Sequence, residues 1–333
     1  MLKGHQTWVF ENRPVIIATS AVGGPFESKG ALAEDFDILH KDMWLGQDSF
    51  EKAEKKLLEE ACEIAIKKAG IKKEDVNIFL SGDLLNQIIS SSFTARTLAV
   101  PYIGLFGACS SSMEGLSVAA LLIESKAADC VLAATSSHNA AAEKQFRYPT
   151  EYGAQKPPTA QWTVTGAGAA VIARQGEGPR ITSATIGRVI DMGISDPFNM
   201  GAAMAPAAVD TIQAHFRDLG RGPSYYDFIA TGDLGKVGHG ITEELLKKHG
   251  LNIPPDIFTD CGMIIYKEEQ PVLAGASGCG CSATVTYGHL MRRMREGELK
   301  KILIAATGAL MSPMSYQQKE SIPCIAHAVS IEM

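Results

Sequence analysis

The sequence has little of what marks a fibrous, disordered or membrane-spanning chain. Only 20% of its 333 residues are charged, 7% are aromatic, and no block of like charge interrupts it. This composition excludes disordered, collagen-like and coiled-coil chains, each of which needs a strong bias. The longest apolar runs, such as 116–123, fall far short of the ~20 residues of a membrane span. Residues 1–8 lack the apolar core of a signal peptide, so we expect a soluble chain made in the cytoplasm.

Charge and cysteine usage narrow the classes of partner and site. The 31 lysines and arginines against 37 acidic residues leave a net charge of -6, so nucleic acid is not expected as a partner. The seven cysteines, an odd number without paired CxxC spacing, argue against a disulfide framework or a structural zinc site. We therefore expect a reducing compartment, no metal site and no cofactor.

Short segments of the first half recur in the second half in the same order. Residues 82–84, Gly-Asp-Leu, recur 150 positions later at 232–234. The small-residue turn around Cys109 recurs 172 positions later around Cys281. The rise in offset from 150 to 172 places an insertion of 22 residues in the second half, most simply around 251–270. The repeat predicts a duplicated α/β unit whose short apolar strands are buried on both faces.

The turn around Cys109 is the strongest candidate for a functional site. Residues 106–116 begin apolar, pass through small residues and continue as an apolar helix, which is the pattern of a nucleophile elbow. The helix N-terminus would favour negative charge on a thiolate or an oxyanion beside it. The alternative is a small buried cysteine that caps a core helix. Because Cys281 occupies the equivalent turn of the second half, we expect the two turns to form one shared site.

These features resemble the thiolase and ketoacyl synthase superfamily over essentially the whole chain, including the strand 165–172 that closes the first half. A narrower resemblance, to the stage V sporulation protein AD family, is carried by the segments 8–11, 82–87, 134–140, 145–153, 205–208 and 317–320. The resemblance implies a thiolase-like fold with two βαβαβαββ halves, 1–178 and 179–333, tightly packed about a pseudo-twofold axis. It also implies two five-stranded mixed sheets in an αβαβα arrangement.

The resemblance further implies a function and partners. Proteins of this family bind dipicolinic acid, pyridine-2,6-dicarboxylate, within the machinery that moves it, with calcium, into the developing spore and out at germination. The expected partners are dipicolinic acid with or without calcium, the other stage V sporulation A membrane proteins, and a second copy of the chain joined through the first-half sheet edge. The expected location is peripheral, at the forespore or spore inner membrane.

The sequence also bears on whether the site is catalytic. Condensing enzymes of the superfamily pair their cysteine with a histidine and a second histidine or an asparagine. The corresponding segments here, 231–236 and 278–282, contain neither residue, and Asp233 would oppose a thiolate. We therefore expect a non-catalytic binding protein. The alternative is an active ketoacyl synthase III-like acyltransferase that uses Cys109, with His239 or His289 as its base.

Six residues are the candidate ligand contacts. They are Cys109, Ser110, His138, Arg147, Asp233 and Cys281. The turn offers the backbone N–H groups of Cys109 and Ser110 to a ligand. His138 follows a strand end, so we expect it either to reach the same crevice or to be a loop histidine whose hydrogen bonds are made within the protein. Arg147 lies among aromatic residues, where it suits either an aromatic carboxylate or a dimer interface. Asp233 is expected to line the pocket or to meet calcium carried with the ligand.

Overall fold

The computed structural model describes residues 1–146 and 156–333. Up to position 173, four strands are followed by alternating helices and strands and by a final pair of strands: β1 (Leu2–Lys3), β2 (Thr7–Val9), β3 (Val15–Gly23), β4 (Ile38–Leu39), α1 (Phe50–Ala69), β5 (Ile78–Gly82), α2 (Ile89–Leu98), β6 (Tyr102–Gly104), α3 (Ser111–Glu124), β7 (Cys130–Ser137), α4 (Asn139–Phe146), β8 (Trp162–Thr163) and β9 (Gly166–Ala173). A 3-10 turn, Ala108–Ser110, precedes α3.

The remaining strands and helices alternate except at α8 and α9: β10 (Arg180–Thr185), α5 (Met200–Leu219), β11 (Phe228–Thr231), α6 (Gly235–Lys248), β12 (Phe258–Asp260), α7 (Cys261–Ile264), β13 (Ala276–Ser277), α8 (Cys279–Thr284), α9 (Met291–Arg295), β14 (Lys301–Ala309), α10 (Pro313–Gln317) and β15 (Cys324–Glu332). A π-helical stretch, Val285–Leu290, joins α8 to α9.

Ten strands form one continuous path with two similar parts. One part has the order β6-β5-β7-β9-β3 and the other β12-β11-β14-β15-β10, each with parallel pairs at its outer end and antiparallel pairs toward the middle. The two parts meet where Arg180 of β10 pairs with Val15 of β3. The predicted pair of five-stranded mixed sheets in an α/β fold is confirmed.

The helices lie in three layers around these sheets. Helices α1 and α2 cover the outer face of the first part, and α5 and α6 cover that of the second. Between the sheets, α3 contacts β7 and β15, whereas α8 contacts β7 and β9. The central helices are apolar because both sheets cover them, and α3 buries Met113, Leu116 and Ile123 almost completely. This layer brings the N-terminal ends of α3 and α8 together.

Helix ends occur where the repeated sequence places them. Ser49 caps α1 by accepting a hydrogen bond from the backbone N–H of Lys52. Gly70 ends α1 and Gly220 ends α5, both in the left-handed conformation with φ of 67° and 63°. Glycine adopts this conformation without the strain that a Cβ atom brings, so the paired glycines mark equivalent helix ends.

Candidate active site around Cys109

The turn before α3 is tight and internally bonded. Ala108 has a left-handed backbone, with φ of 48°, and the N–H and hydroxyl of Ser110 both donate to the carbonyl oxygen of Gly107, at 3.0 and 2.6 Å. On the β14 side the turn abuts Gly308, where a Cβ atom would lie 2.1 Å from that same carbonyl oxygen. The predicted elbow is therefore present, but both donors of Ser110 are used within it rather than offered to a ligand.

Cys109 faces a carboxyl group and a second thiol. Its thiol lies close to the side chain of Asp233, which follows β11, and to Cys279 at the start of α8. The Cys279 thiol donates to the carbonyl oxygen of Ala108 at 3.0 Å. The site thus brings together Cys109, Asp233 and Cys279, one group from the first half and two from the second.

Hydrogen bonds hold the carboxylate of Asp233 in place. The hydroxyl of Thr307 donates to its Oδ1 at 2.7 Å, and the backbone N–H of Gly278 donates to its Oδ2 at 2.9 Å. Burial nevertheless dominates and raises the pKa of Asp233 to about 7. The group therefore changes charge within the physiological pH range.

The thiol of Cys109 is held in its neutral form. Its side chain is buried, and burial, followed by the negative charge of Asp233, raises the pKa of the Cys109 thiol well above its usual range. The position before α3 does not overcome these effects, although a helix N-terminus by itself favours a thiolate. Cys109 is consequently a poor nucleophile in this arrangement.

Cys281 does not occupy the position expected from the repeat. Its thiol donates to the carbonyl oxygen of Gly232 at 3.4 Å, and its side chain is part of the main apolar core. Two residues on a helix point about 200° apart, so Cys279 and Cys281 leave opposite sides of α8. The offset of 172 identifies the equivalent turn of the second half correctly. Within that turn, however, the cysteine that lies near Cys109 is Cys279 and not Cys281.

His138 is also directed away from Cys109. Its Nε2 is 2.8 Å from the carbonyl oxygen of Met43, its Nδ1 accepts the N–H of Ala141, and its ring stacks on Phe50. Burial lowers the pKa of His138, so the ring is neutral. His138 is therefore a histidine whose ring nitrogens are both hydrogen-bonded within the protein, which is the alternative given above, and it does not point into the crevice beside Cys109. Arg147, the sixth candidate, lies outside the described residues.

The two histidines considered as catalytic bases belong to other environments. The ring of His239 packs against Phe258 with centroids 4.5 Å apart, and Nδ1 of His289 pairs with Asp35 at 2.7 Å. Among the residues that the structure describes, no histidine lines the cavity beside Cys109. A histidine-assisted condensation has no support in this geometry.

A small apolar cavity adjoins Cys109 and shares part of its lining with a larger groove. The cavity has about 30 Å³ of free space, little more than ordered water requires. It is lined by Leu84, Phe106, Ala108, Cys109, Ala142, Phe146, Thr163, Met200, Ser277, Ala309 and Met311. The groove has about 470 Å³ and shares Leu84, Phe106 and Met311 with the cavity. Within 1–146 and 156–333, no charged side chain lines either space.

The groove has a strained wall. Gln87 and Ile88, which follow β5, both have left-handed backbones with φ of 52° and 48°. The side chain of Gln145 braces this segment by accepting the N–H of Asn86 and donating to the carbonyl of Leu84. Strain of this kind is retained where the surroundings over-determine it, commonly at binding sites.

Comparison with known proteins identifies the family. The model of the stage V sporulation protein AD family matches residues 4–332. The stage V sporulation protein AD of Bacillus subtilis (strain 168) is 50% identical over 331 residues, covering 99% of this chain and 98% of that protein. The chain belongs to the stage V sporulation protein AD family. Membership in the stage V sporulation protein AD family gives this chain a role in sporulation.

Solved structures support the fold of this stage V sporulation protein AD family member. The 3-oxoacyl-[acyl-carrier-protein] synthase III of Aquifex aeolicus VF5 matches with a TM-score of 0.61 at 14% identity, covering 96% of this chain and all (100%) of that one. Human mitochondrial 3-ketoacyl-CoA thiolase in complex with CoA matches with a TM-score of 0.62 at 13% identity, covering 97% and 99%. The fold is thiolase-like. Among the described residues, no helix is long and apolar enough to cross a membrane.

Proposed function

We propose that this member of the stage V sporulation protein AD family binds dipicolinic acid without catalysing a reaction on it. The protein then acts in the transport of dipicolinate, alone or with calcium, during sporulation and germination. The observation that carries the non-catalytic part is the burial of the Cys109 thiol close to the buried carboxyl of Asp233, which together raise the pKa of the thiol. A carboxylate beside a buried thiol opposes thiolate formation and would repel an enolate, so the site lacks what a condensation requires.

The shape of the site suits a flat aromatic acid that lies across its opening. The inner cavity of about 30 Å³ is too small for a pyridine ring with two carboxylates. The groove, at about 470 Å³, is within the usual range of ligand pockets, about 300–1,000 Å³. In the proposed complex the ring packs on Phe106 in the groove, and one carboxylate points inward toward Cys109.

Calorimetric titration with dipicolinic acid tests this function. We expect saturable binding by the purified protein and its loss in Cys109→Trp, which fills the inner cavity. Leu121→Trp adds the same side chain on the exposed face of α3 and should bind as the unmodified protein does. Absence of binding heat, or unchanged binding by a folded Cys109→Trp, would contradict the proposal. Repeating the titration with calcium shows whether the cation enters with the ligand.

The rival function is acyl transfer by Cys109. The thiolase-like fold of the solved relatives favours it, whereas the neutral thiol opposes it. Mass spectrometry after incubation with acyl-CoA decides between them. A stable acyl adduct on Cys109 that turns over with a second thioester would replace the binding function with a condensing one.

We further propose that two copies of the chain pair through β6. This strand is the last in its part of the sheet, its only strand partner within the described residues is β5, and Ile103 on it is 44% exposed. Phe93 and Phe106 next to it are also exposed. An apolar open edge of this kind is a template for pairing with another strand.

The family resemblance also leads us to propose that the protein acts with the other stage V sporulation A membrane proteins, at the spore inner membrane. Cross-linking in sporulating cells followed by fractionation tests this. Recovery of the chain with these proteins in the inner-membrane fraction supports the proposal. Recovery only in the soluble fraction, without cross-links, would contradict it.

A further inference from the structure

The groove wall, residues 84–88, has an unfavourable backbone. It lies between β5 and α2, and all five of its residues line the groove. Gln87 and Ile88 are adjacent residues in the left-handed region, with φ of 52° and 48°. Residues with a Cβ atom disfavour this region, and a β-branched residue such as Ile88 disfavours it most. Other contacts must therefore hold the wall in this conformation.

Gln145 holds the groove wall from a distant part of the chain. Its Oε1 accepts the backbone N–H of Asn86 at 3.0 Å, and its Nε2 donates to the carbonyl oxygen of Leu84 at 2.8 Å. Because a single amide group makes both bonds, it fixes the orientation of the wall as well as its distance from α4. Gln145 is partly buried on the last turn of α4, so a helix positions its amide.

Asp83 holds the ends of the same stretch from the core side. Its buried carboxyl group accepts the N–H of Leu85 at 2.9 Å and the N–H of Ser91 at 2.8 Å. The strained pair, Gln87 and Ile88, lies between these two points of attachment. Asp83 therefore fixes where the strained stretch begins and ends, whereas Gln145 acts on the chain directly before the strained pair.

The left-handed conformation affects the shape of the groove through Ile88. The Cδ1 atom of Ile88 lies against Gly104 of β6, where a Cβ atom would come within 2.5 Å of it. Gly104 and its neighbour Leu105 also line the groove. A change of the strained pair to a right-handed or extended backbone would move the Ile88 side chain relative to β6. The space offered to a ligand therefore depends on the conformation of the wall.

On the basis of the proposed binding function, we propose that Gln145 is the positioning residue of the groove. It keeps the groove wall in the left-handed conformation that the ligand requires, and it acts through the wall rather than by touching the ligand. The free protein then presents a preformed groove, so that binding does not have to order the wall. Because the bonds of Gln145 and the bound ligand favour the same conformation, each strengthens the other.

Calorimetric titration with dipicolinic acid tests the role of Gln145. Gln145→Ala removes both bonds to the wall and should weaken affinity roughly tenfold, the effect of about two net hydrogen bonds. Gln270→Ala is the matched control. Gln270 is also partly buried, accepts the N–H of Lys267 at 2.9 Å and donates to the carbonyl of Phe26 at 3.0 Å, but it lines neither the cavity nor the groove. Its removal should leave affinity unchanged.

A glycine in the wall separates positioning from a general loss of structure. Glycine adopts the left-handed region without strain, so the wall of Gln87→Gly should keep its conformation without Gln145. In this background Gln145→Ala should weaken affinity by less than about threefold. Lys126→Gly also replaces a left-handed residue, with φ of 62°, but it follows the far end of α3. In that background the roughly tenfold loss should remain. An equal loss in both backgrounds would contradict the proposal.

Hydrogen–deuterium exchange of peptides that cover 84–88 gives a second measurement, which needs no ligand. Exchange there should be faster in Gln145→Ala than in the unmodified protein, and unchanged exchange would mean that Gln145 does not hold the wall. Gln145→Met keeps the length of the side chain without its amide and replaces Gln145→Ala if that variant does not fold. Equally tight binding by Gln145→Ala and the unmodified protein would contradict the role of Gln145 alone. Absence of binding by the unmodified protein would instead contradict the proposed function.

Discussion

The carbonyl oxygen of Ala108 accepts a hydrogen bond from the thiol of Cys279 at 3.0 Å, across the boundary between the two repeated turns. Ala108 holds its left-handed backbone immediately before Cys109, so this bond fixes the turn that aims the Cys109 side chain. The second-half turn thereby supports the first-half turn. This one-sided arrangement differs from the symmetrical facing of Cys109 and Cys281 that the repeat predicts.

Cys279→Ala should therefore disturb the site more than Cys281→Ala does. Removal of the Cys279 thiol takes one donor from the buried carbonyl of Ala108, which still accepts from the hydroxyl of Ser111 at 2.7 Å, so the loss should cost about 0.5–1.5 kcal/mol. The bond from Cys281 to Gly232 is longer, at 3.4 Å, and lies away from Cys109. Both variants should lose stability in urea unfolding, and dipicolinate affinity should fall only in Cys279→Ala. Equal loss of affinity in both variants would show that the Ala108 contact does not orient the turn.

Glu27 gives the folding stability a predictable dependence on pH. Its buried carboxyl bonds to the hydroxyl of Tyr266 and to the N–H of Thr165, and burial raises its pKa from 4.5 to about 7. Between these values the folded state holds a proton that the unfolded state has lost, so this contribution to stability falls as pH rises through the range. The full contribution is present below pH 4.5, and its loss by pH 7 amounts to about 3 kcal/mol.

Glu27→Gln should flatten the dependence of unfolding free energy on pH between 4.5 and 7. Urea unfolding at a series of pH values measures it. Glu244→Gln, on the exposed face of α6, is the control and should leave the slope unchanged. An unchanged slope in Glu27→Gln would mean that Glu27 stays ionised in the folded protein.

The repeat predicts the architecture well because it reflects backbone order. Paired glycines at helix ends and the aspartates after β5 and β11 all occur where the offset of 150 places them. Asp83 caps its turn by accepting the N–H groups of Leu85 and Ser91. These features depend on local backbone geometry, which short sequence motifs are sufficient to predict.

The site is predicted less completely because side-chain direction depends on distant contacts. The spacing of residues along the chain does not show how α8 is rotated about its axis, and this rotation determines whether Cys279 or Cys281 faces Cys109. The direction of His138 is set by Met43 and Phe50, about 90 residues earlier, and nothing near His138 in the sequence indicates them. The repeat places Asp233 at a strand end, but its direction is set by Gly278 and Thr307, 45 and 74 residues later in the chain.

Phe106 should contribute to ligand binding more than to folding. It is 52% exposed and lines both the cavity and the groove. Phe106→Ala should change the free energy of unfolding by no more than about 0.5 kcal/mol, as exposed substitutions do. Loss of ring stacking, worth about 0.5–1.5 kcal/mol, should weaken dipicolinate binding about threefold to tenfold in calorimetry.

Trp44→Ala provides the control for Phe106→Ala. Trp44 is an aromatic residue of similar exposure, 45%, that packs on Phe50 and lines neither space. It should leave affinity unchanged. Equal affinities for Phe106→Ala and Trp44→Ala would place the ring of the ligand somewhere other than the groove.

Ile103 should control pairing of two copies through β6. A lysine at an open strand edge opposes edge-to-edge pairing because it brings like charges together at the symmetric contact. Ile103→Lys should therefore convert a dimer to a monomer in light scattering after size exclusion, without loss of the helical circular dichroism signal. Leu273→Lys is the control, since Leu273 is equally exposed, at 46%, but lies far along the chain from β6. A dimer that persists in Ile103→Lys would mean that the copies associate through another surface, and β6 would then be an edge protected by its short length of three residues.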